Sequence, residues 1–325
     1  MSARILHEPA HITRQQTAQT NAIRALIDRL TLAASLTVVD VENLIQSGFL
    51  RPKQENCDHC GGELRLAADS RCGDKVTWRC QSTQCRRTLS IRAGSWFSGS
   101  KVTIIQRLLL IRKIELGLSF HQIEQEGIIN HHAARQIWLG VVARMETWLD
   151  ANIFACEFVF GPHELIEVDE CYVHWKGPRY DFAFLDDEKA APDGKWILGM
   201  INRSRSCCWL LPIEDRMRAS IIEPIEDVVA PGAIILTDAL NVYNVLNAQF
   251  DHHVINKKQD GFAQLQPCRH KGQLNVNVNH CESLWKDFRL LAHSRHLTHC
   301  KDVPALCIEF MYKFFHAEFY EAIKC

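Results

Sequence analysis

The chain has 325 residues, 47% of them hydrophobic and 23% charged, with a formal net charge of −1. This is ordinary globular composition and excludes disordered, collagen-like and low-complexity classes. No run reaches the roughly 18 apolar residues of a membrane span, and Met1 to Pro9 lack the apolar core of a signal peptide. The expectation is an intracellular soluble protein with no membrane partner, nuclear in a eukaryote and otherwise cytoplasmic.

The chain opens helically. Ala18, Ile23, Leu26, Ile27 and Leu30 lie near helical spacing between Thr13 and Ala33, and a second helix starts near Thr37 or Asp40 and ends at Gly48. Residues 51–95 are rich in Cys, Gly and Arg, with strand-like pieces at Lys75–Cys80 and Thr88–Arg92. Val102 to Leu116 carries an apolar stripe that stops at Gly117. Ser119 to Gln125, a turn at Gly127 and a longer helix from Asn130 to Leu149 follow, which is a helix-turn-helix outline. Two packed helices without DNA contact give the same pattern. Beyond residue 160, Leu165–Trp175, Trp196–Asn202 and Cys207–Ile213 read as an antiparallel meander. Next come a helix over Ala219–Val229, a buried strand ending at Asp238, a helix over Asn241–Ala248 and a strand over His252–Asn256. A long loop then leads to a helix over His280–Ala292, and a last helix spans Val303–Ile323. The alternation implies a mixed α/β sheet with helices packed on it.

Fourteen cysteines are present. Cys57-Asp-His-Cys60 and Cys80-Gln-Ser-Thr-Gln-Cys85 are two close pairs about twenty residues apart, the outline of a four-thiolate structural zinc site. Gly61-Gly62 permits the tight turn after the first pair. The second pair has four intervening residues where two are usual, so His59 and Cys72 stand as substitute ligands. The other ten cysteines, Cys268 among them, read as small buried hydrophobes.

From Lys75 to Lys113 nine basic residues occur with no Asp or Glu. Such a field suits a polyanion, and Arg86, Arg87, Arg92, Lys101, Arg107, Arg112 and Lys113 are its candidate DNA contacts. A solvated face balanced by acids elsewhere in space is the alternative.

Three acids stand out. Asp169 lies inside the strand Glu167-Val-Asp-Glu-Cys-Tyr172, with Glu167 and Glu170 as rival carboxylates. Asp238 ends the apolar run Ile234-Ile-Leu-Thr-Asp238, where an acid is costly unless paired, ligated or exposed at a sheet end. Glu282 opens a helix and equally suits a capping box with Asn279. Three acids on rigid elements could hold the two Mg²⁺ ions, roughly 4 Å apart, that cut phosphodiesters.

Together these pieces resemble Merlin-type DDE transposases and the related bacterial insertion-sequence transposases. The resemblance runs in order over about residues 50–315. It rests on Thr77–Cys80 and Cys85–Lys101, Ile166–Tyr172, Trp196–Arg203, Leu211–Arg216, Ala230–Asp238 with Tyr243, and Asn279–Trp285. It implies an RNase H-like catalytic domain over residues 160–325. Ahead of it would lie a helical segment (1–50), a zinc ribbon (51–98) and a helical, helix-turn-helix-like DNA-binding region (99–155). It further implies the triad Asp169, Asp238 and Glu282 on Mg²⁺ or Mn²⁺, and structural Zn²⁺ on Cys57, Cys60, Cys80 and Cys85. The implied reaction is cleavage of double-stranded DNA at terminal inverted repeats, then attack of the freed 3′-hydroxyl on target DNA, by a chain that commonly acts as a homo-oligomer. A transposase-derived DNA-binding protein that no longer transposes, or a nuclease without strand transfer, would look similar. The sequence departs from the family at the partly acidic segment Lys176–Glu188, at Asn277 where the family has His, and at His280-Cys281 where it has Thr-Ile.

Overall fold

A computed structural model describes residues 14–33, 35–51, 56–176, 179–181, 194–203, 207–256, 263–268, 271–295, 300–315 and 321–324. The chain divides into two compact units, one of residues 12–141 with 318–325 and the other of residues 1–11 with 142–317. The expected cysteine-rich segment falls within the first unit, and the expected helix pair runs across the boundary at residue 141. Among the described residues no helix is long and apolar enough to cross a membrane.

In the first unit, α1 (Arg14–Thr31) and α2 (Val38–Gln46) precede a three-stranded antiparallel sheet of β1 (Leu64–Ala68), β2 (Val76–Cys80) and β3 (Thr88–Leu89). Then come α3 (Ile104–Glu115), α4 (Phe120–Gln125) and α5 (His131–Asn152), which runs on past residue 141. Three of these helices start alike, with Thr37 and Asp40, Thr103 and Gln106, or Ser119 and Gln122 exchanging side-chain and backbone hydrogen bonds. Each box satisfies two amides that the first helical turn leaves without partners. Gly127, at φ 70°, makes the turn between α4 and α5.

The second unit is built on a sheet ordered β7-β6-β4-β8-β9, with β5 (Arg179–Asp181) added on β4. Here β4 is Leu165–Lys176, β6 Lys195–Asn202, β7 Cys207–Ile213, β8 Ile234–Asp238 and β9 Asp251–Ile255. The first three strands form the expected antiparallel meander, and β8 and β9 run parallel to β4. Parallel neighbours need crossovers. These are α6 (Arg218–Val228) between β7 and β8, and a 3₁₀ helix, Asn241–Ala248, between β8 and β9 where an ordinary helix is expected. This is the expected mixed α/β sheet with helices packed on it.

Two expectations are corrected. The long loop before the acidic helix contains a hairpin, β10 (Gln264–Cys268) and β11 (Gly272–Val276). Its apolar residues Cys268, Leu274 and Val276 pack with Val278 onto Leu165, Ile234, Leu236 and Ile255 of the sheet. The last helix, α8 (Val303–Phe314), stops well before Ile323, and a 3₁₀ turn covers Glu321–Ile323. The segment Lys176–Glu188 lies largely outside the described residues.

The acidic helix α7 (Asn279–Arg295) is tied to α8 by a fully buried ion pair, Arg295 with Glu309, which Lys313 joins at 2.8 Å. Burial pushes the Glu309 carboxyl up, but Arg295 and Lys313 outweigh it and hold it well below the usual carboxylate range. A depressed folded value stabilises the unit above the unfolded carboxylate value, and that stability is lost as pH falls through the folded one. Glu309→Ala strands a buried guanidinium and is expected to cost about 3–5 kcal/mol. Thermal unfolding followed by circular dichroism from pH 7 to pH 3 checks both points. The wild type is expected to lose its midpoint steeply on acidification and the variant to change less.

Candidate catalytic and metal sites

The offset between β4 and β8 positions the two aspartates. Leu165 pairs with Ile234, Ile166 with Ile235 and Glu167 with Leu236. The same offset of 69 residues carries Asp169 to Asp238 at the carboxyl end of β8. In open α/β sheets that end is where sites form. Side chains two apart on a strand share a face, so Asp169 and Asp238 lie on the face of Glu167 and Leu236. Asp238 Oδ1 accepts from the Leu240 amide at 3.1 Å.

Helix α7 lies over that face. Its first amides, His280 N–H at 2.8 Å and Cys281 N–H at 3.1 Å, donate to Glu167 Oε2, and the His280 ring meets Oε1 at 2.8 Å. Arg203 pairs with Glu167 and donates to the Asn277 carbonyl and side chain at 2.8 and 2.7 Å. Glu167, fully buried, thus caps the start of α7, while the Asn279 amide, the one a capping-box Glu282 would take, donates to Asn277 Oδ1 at 3.3 Å. One turn on, Trp285 Nε1 donates to Asp169 Oδ2 at 3.1 Å. Glu282 is half-buried and sits three residues before Trp285, between these two anchor points.

The rival carboxylates are accounted for. Glu170 points to the opposite face, where Tyr243 donates to it and Arg216 reaches it at 3.1 Å while stacking on Trp196. Burial pushes its carboxyl up to about 8, with the charges of Asp169 and Asp238 adding to the rise and Arg216 opposing it. Arg216 and Tyr243, two of the resemblance-bearing residues, therefore hold Glu170 behind the sheet. Glu167 is the residue that sequence reasoning missed. Its only signal is an acid facing inward from a strand, which must find a partner.

Gly199 is the neighbour of Asp169 on β6. A methyl group there would stand 2.5 Å from Trp285 Cη2. Gly199→Ala is expected to displace the indole from Asp169. Trp285→Phe removes the donor without the overlap. Loss of such supporting bonds costs roughly 10–100-fold in metal affinity or activity. Titrating Mg²⁺ in a DNA-nicking assay checks this: both variants should need more Mg²⁺, and Gly199→Ala alone should also lose about 1–3 kcal/mol of stability.

Among the described residues, two sets of three or more candidate ligand atoms lie mutually within 4.8 Å: the cysteine quartet, and Asp251, His253 and Cys268. Asp169, Asp238 and Glu282 form no set that tight. In the quartet, Cys57 Sγ stands 3.8 Å from Cys85 Sγ, and Cys60 Sγ 3.5 Å from Cys80 Sγ. With zinc–sulfur bonds of ~2.3 Å a thiolate tetrahedron has edges of about 3.8 Å, so the donor set fits zinc. Gly61 at φ 70° turns the chain just after the first pair, and Arg86 at φ 47° turns it just after the second. The Gly62 amide beside Cys60 lowers that thiol to about 7. Of the substitutes, Cys72 donates to the carbonyls of Asp69 and Val76, and His59 is exposed outside the quartet.

The basic stretch divides. Arg92 pairs with Asp74 and donates to the carbonyls of Ser100 and Val102. Arg107 donates to the Trp96 carbonyl and lies over its ring. Arg112 pairs with Asp28 and Glu115, and Lys113 with Glu126. These four are engaged in building the first unit: acids meet Arg92, Arg112 and Lys113 in space, and the Trp96 carbonyl and ring meet Arg107. Arg86, Arg87 and Lys101 are exposed.

Residues 163–300 match the family model of the ISXO2-like transposase domain. The matched segment begins just before β4 and ends just before α8, so it contains Asp169, Asp238 and Glu282 but not the cysteine quartet. A comparison with curated proteins found no match. The match to this transposase domain points to transposase function and to nuclease-type chemistry on DNA.

Proposed function

We propose that the chain is a DDE transposase that cleaves DNA at terminal inverted repeats and joins the freed 3′ end to target DNA, with Asp169, Asp238 and Glu282 as its catalytic triad. The observation that supports this reading is the 69-residue offset of β4 on β8, paired through Glu167 and Leu236, which continued by two residues runs from Asp169 to Asp238. The donor set is all carboxylate, as Mg²⁺ or Mn²⁺ prefers. Such ions, when bound, activate the attacking water or 3′-hydroxyl and stabilise the departing oxygen. The protein's own part is positional. Glu167 holds the start of α7, Trp285 holds one oxygen of Asp169, and Glu170 with Tyr243 and Arg216 buttresses the back of β4.

The cysteine quartet binds structural zinc in this reading, as a ribbon next to the helices α4 and α5. Arg86, Arg87 and Lys101 contact phosphates, and a homo-oligomer brings two ends together. The Merlin-type branch is favoured by the ribbon-to-helix segment Cys85–Lys101.

The test is a supercoiled plasmid carrying the genomic flanks of the coding region, incubated with the protein and Mg²⁺ or Mn²⁺. Nicking at the flanks, absent with chelator, is the expected result. Tight, salt-sensitive binding without nicking would instead identify a DNA-binding descendant, the reading that the departures at Asn277 and His280-Cys281 favour.

A further inference from the structure

We propose that Asp251, His253 and Cys268 form a second zinc site, separate from the cysteine quartet and from the acidic triad, that staples the β10–β11 hairpin to the edge of the main sheet. One ligand atom from each lies within 4.8 Å of the others. His253 Nε2 is 3.3 Å from Asp251 Oδ1, and Cys268 Sγ is 3.5 Å from Asp251 Oδ2. A tetrahedral zinc with bonds of about 2.0–2.3 Å has ligand–ligand edges of roughly 3.3–3.8 Å, so both separations already have the span of such a site.

The histidine supplies an independent observation. His253 is only 8% exposed, and its Nε2 makes no hydrogen bond despite standing beside the carboxylate. Its other nitrogen, Nδ1, meets Gln266 Oε1 at 3.2 Å. Gln266 is oriented by its amide nitrogen, which donates to the Val254 carbonyl at 2.8 Å and to Gln264 Oε1 at 2.9 Å. Its oxygen therefore accepts, Nδ1 carries the proton, and Nε2 turns a lone pair toward a carboxylate. That arrangement is repulsive unless a cation lies between the two groups. A second-shell amide fixing the tautomer of a liganding histidine is a recurrent feature of zinc sites. The fourth position is left to water.

The site lies on the same face of the sheet as the acids but apart from them. Asp251 pairs with Ile234 and Asp238 with Ile255, so Asp251 lies four residues along the sheet from Asp238, about 13 Å away at ~3.3 Å per residue. Its consequence reaches the acids, because β11 leads through Val276 and Val278 into α7 and Glu282. Binding releases the Cys268 thiol proton to solvent as the sulfur–zinc bond forms.

The experiment measures zinc in full-length protein dialysed against nanomolar buffered zinc, with millimolar Mg²⁺ present to occupy carboxylate sites. The expected content is about two ions per chain, falling to about one in Cys268→Ser and in His253→Ala. Cys60→Ser should also retain one. A wild type holding one ion that Cys60→Ser abolishes, or unchanged content in both His253→Ala and Cys268→Ser, overturns the site. Should those variants fail to fold, anomalous diffraction at the zinc edge from wild-type crystals decides. A peak among the three side chains supports the site, and none there, with a peak at the quartet, refutes it.

Discussion

Asp238→Asn is expected to reduce metal-dependent nicking by about 10³-fold or more while leaving fold and DNA affinity intact, and Asp169→Asn should behave alike. Each substitution removes a charge that the divalent ions require and keeps an oxygen of the same shape. The Leu240 amide can still donate to residue 238, and Trp285 Nε1 to residue 169, so the local structure has no reason to change. Lewis-acid stabilisation by bound ions is worth several kcal/mol, and each 1.36 kcal/mol is tenfold in rate. Glu282→Gln belongs to the same series. The measurement is the rate of plasmid nicking at saturating Mg²⁺, beside DNA affinity and thermal midpoint for each variant. Wild-type nicking by Asp238→Asn would mean that the cleavage arises at another site or from a contaminant. A variant that loses DNA binding and thermal stability together with nicking would assign the aspartate a structural role.

Removing metal from the cysteine quartet should unfold the three-stranded sheet. The apolar cluster there is small: Cys57, Leu64 and Cys80 are buried, with Trp78, Cys85 and Leu89 packed against them. Two of the three buried residues are themselves thiols, and β3 is only two residues long. A core of that size cannot offset the conformational entropy of the surrounding loops. Structural zinc contributes apparent binding energies of about 10–16 kcal/mol in comparable small folds. Cys80→Ser is expected to hold about one zinc fewer, and both it and the wild type under a strong chelator to expose the 57–90 segment to protease. Full protease resistance of a demonstrably zinc-free ribbon would contradict this. The helices α2, α3 and α4 of the first unit have their own capping boxes and buried apolar residues, so their circular dichroism signal should persist.

The periodicity of residues 14–46 and 104–152, and the alternating or apolar runs from 165 to 255, were legible because each element carries its own repeat and stop signals. The thiol spacings were legible for a similar reason: short loops can point two ligands at one ion whatever surrounds them. The offset of 69 residues between Asp169 and Asp238 was visible in the chain, but its meaning as a strand register was not, since pairing depends on which strands become neighbours. The β10–β11 hairpin escaped because its residues, Gln-Leu-Gln-Pro-Cys and Gly-Gln-Leu-Asn-Val, carry no β-branched or aromatic side chain but one valine and include a proline and a glycine. A cluster contributed by three other strands gives that weak pattern its place.

The linear sequence thus determined where helices and strands form, the thiol quartet and the three acids worth considering, because these follow from local spacing and residue chemistry. The tertiary structure alone decided that Glu167 caps α7, that Glu170 faces away from Asp169, that three of seven basic side chains are paired with acids at home while Arg107 is held by Trp96, and that Cys268 has company. Each of these is a meeting of groups far apart along the chain. Burial makes an unmet charge or hydrogen bond costly only once the fold has brought its partner near or kept it away.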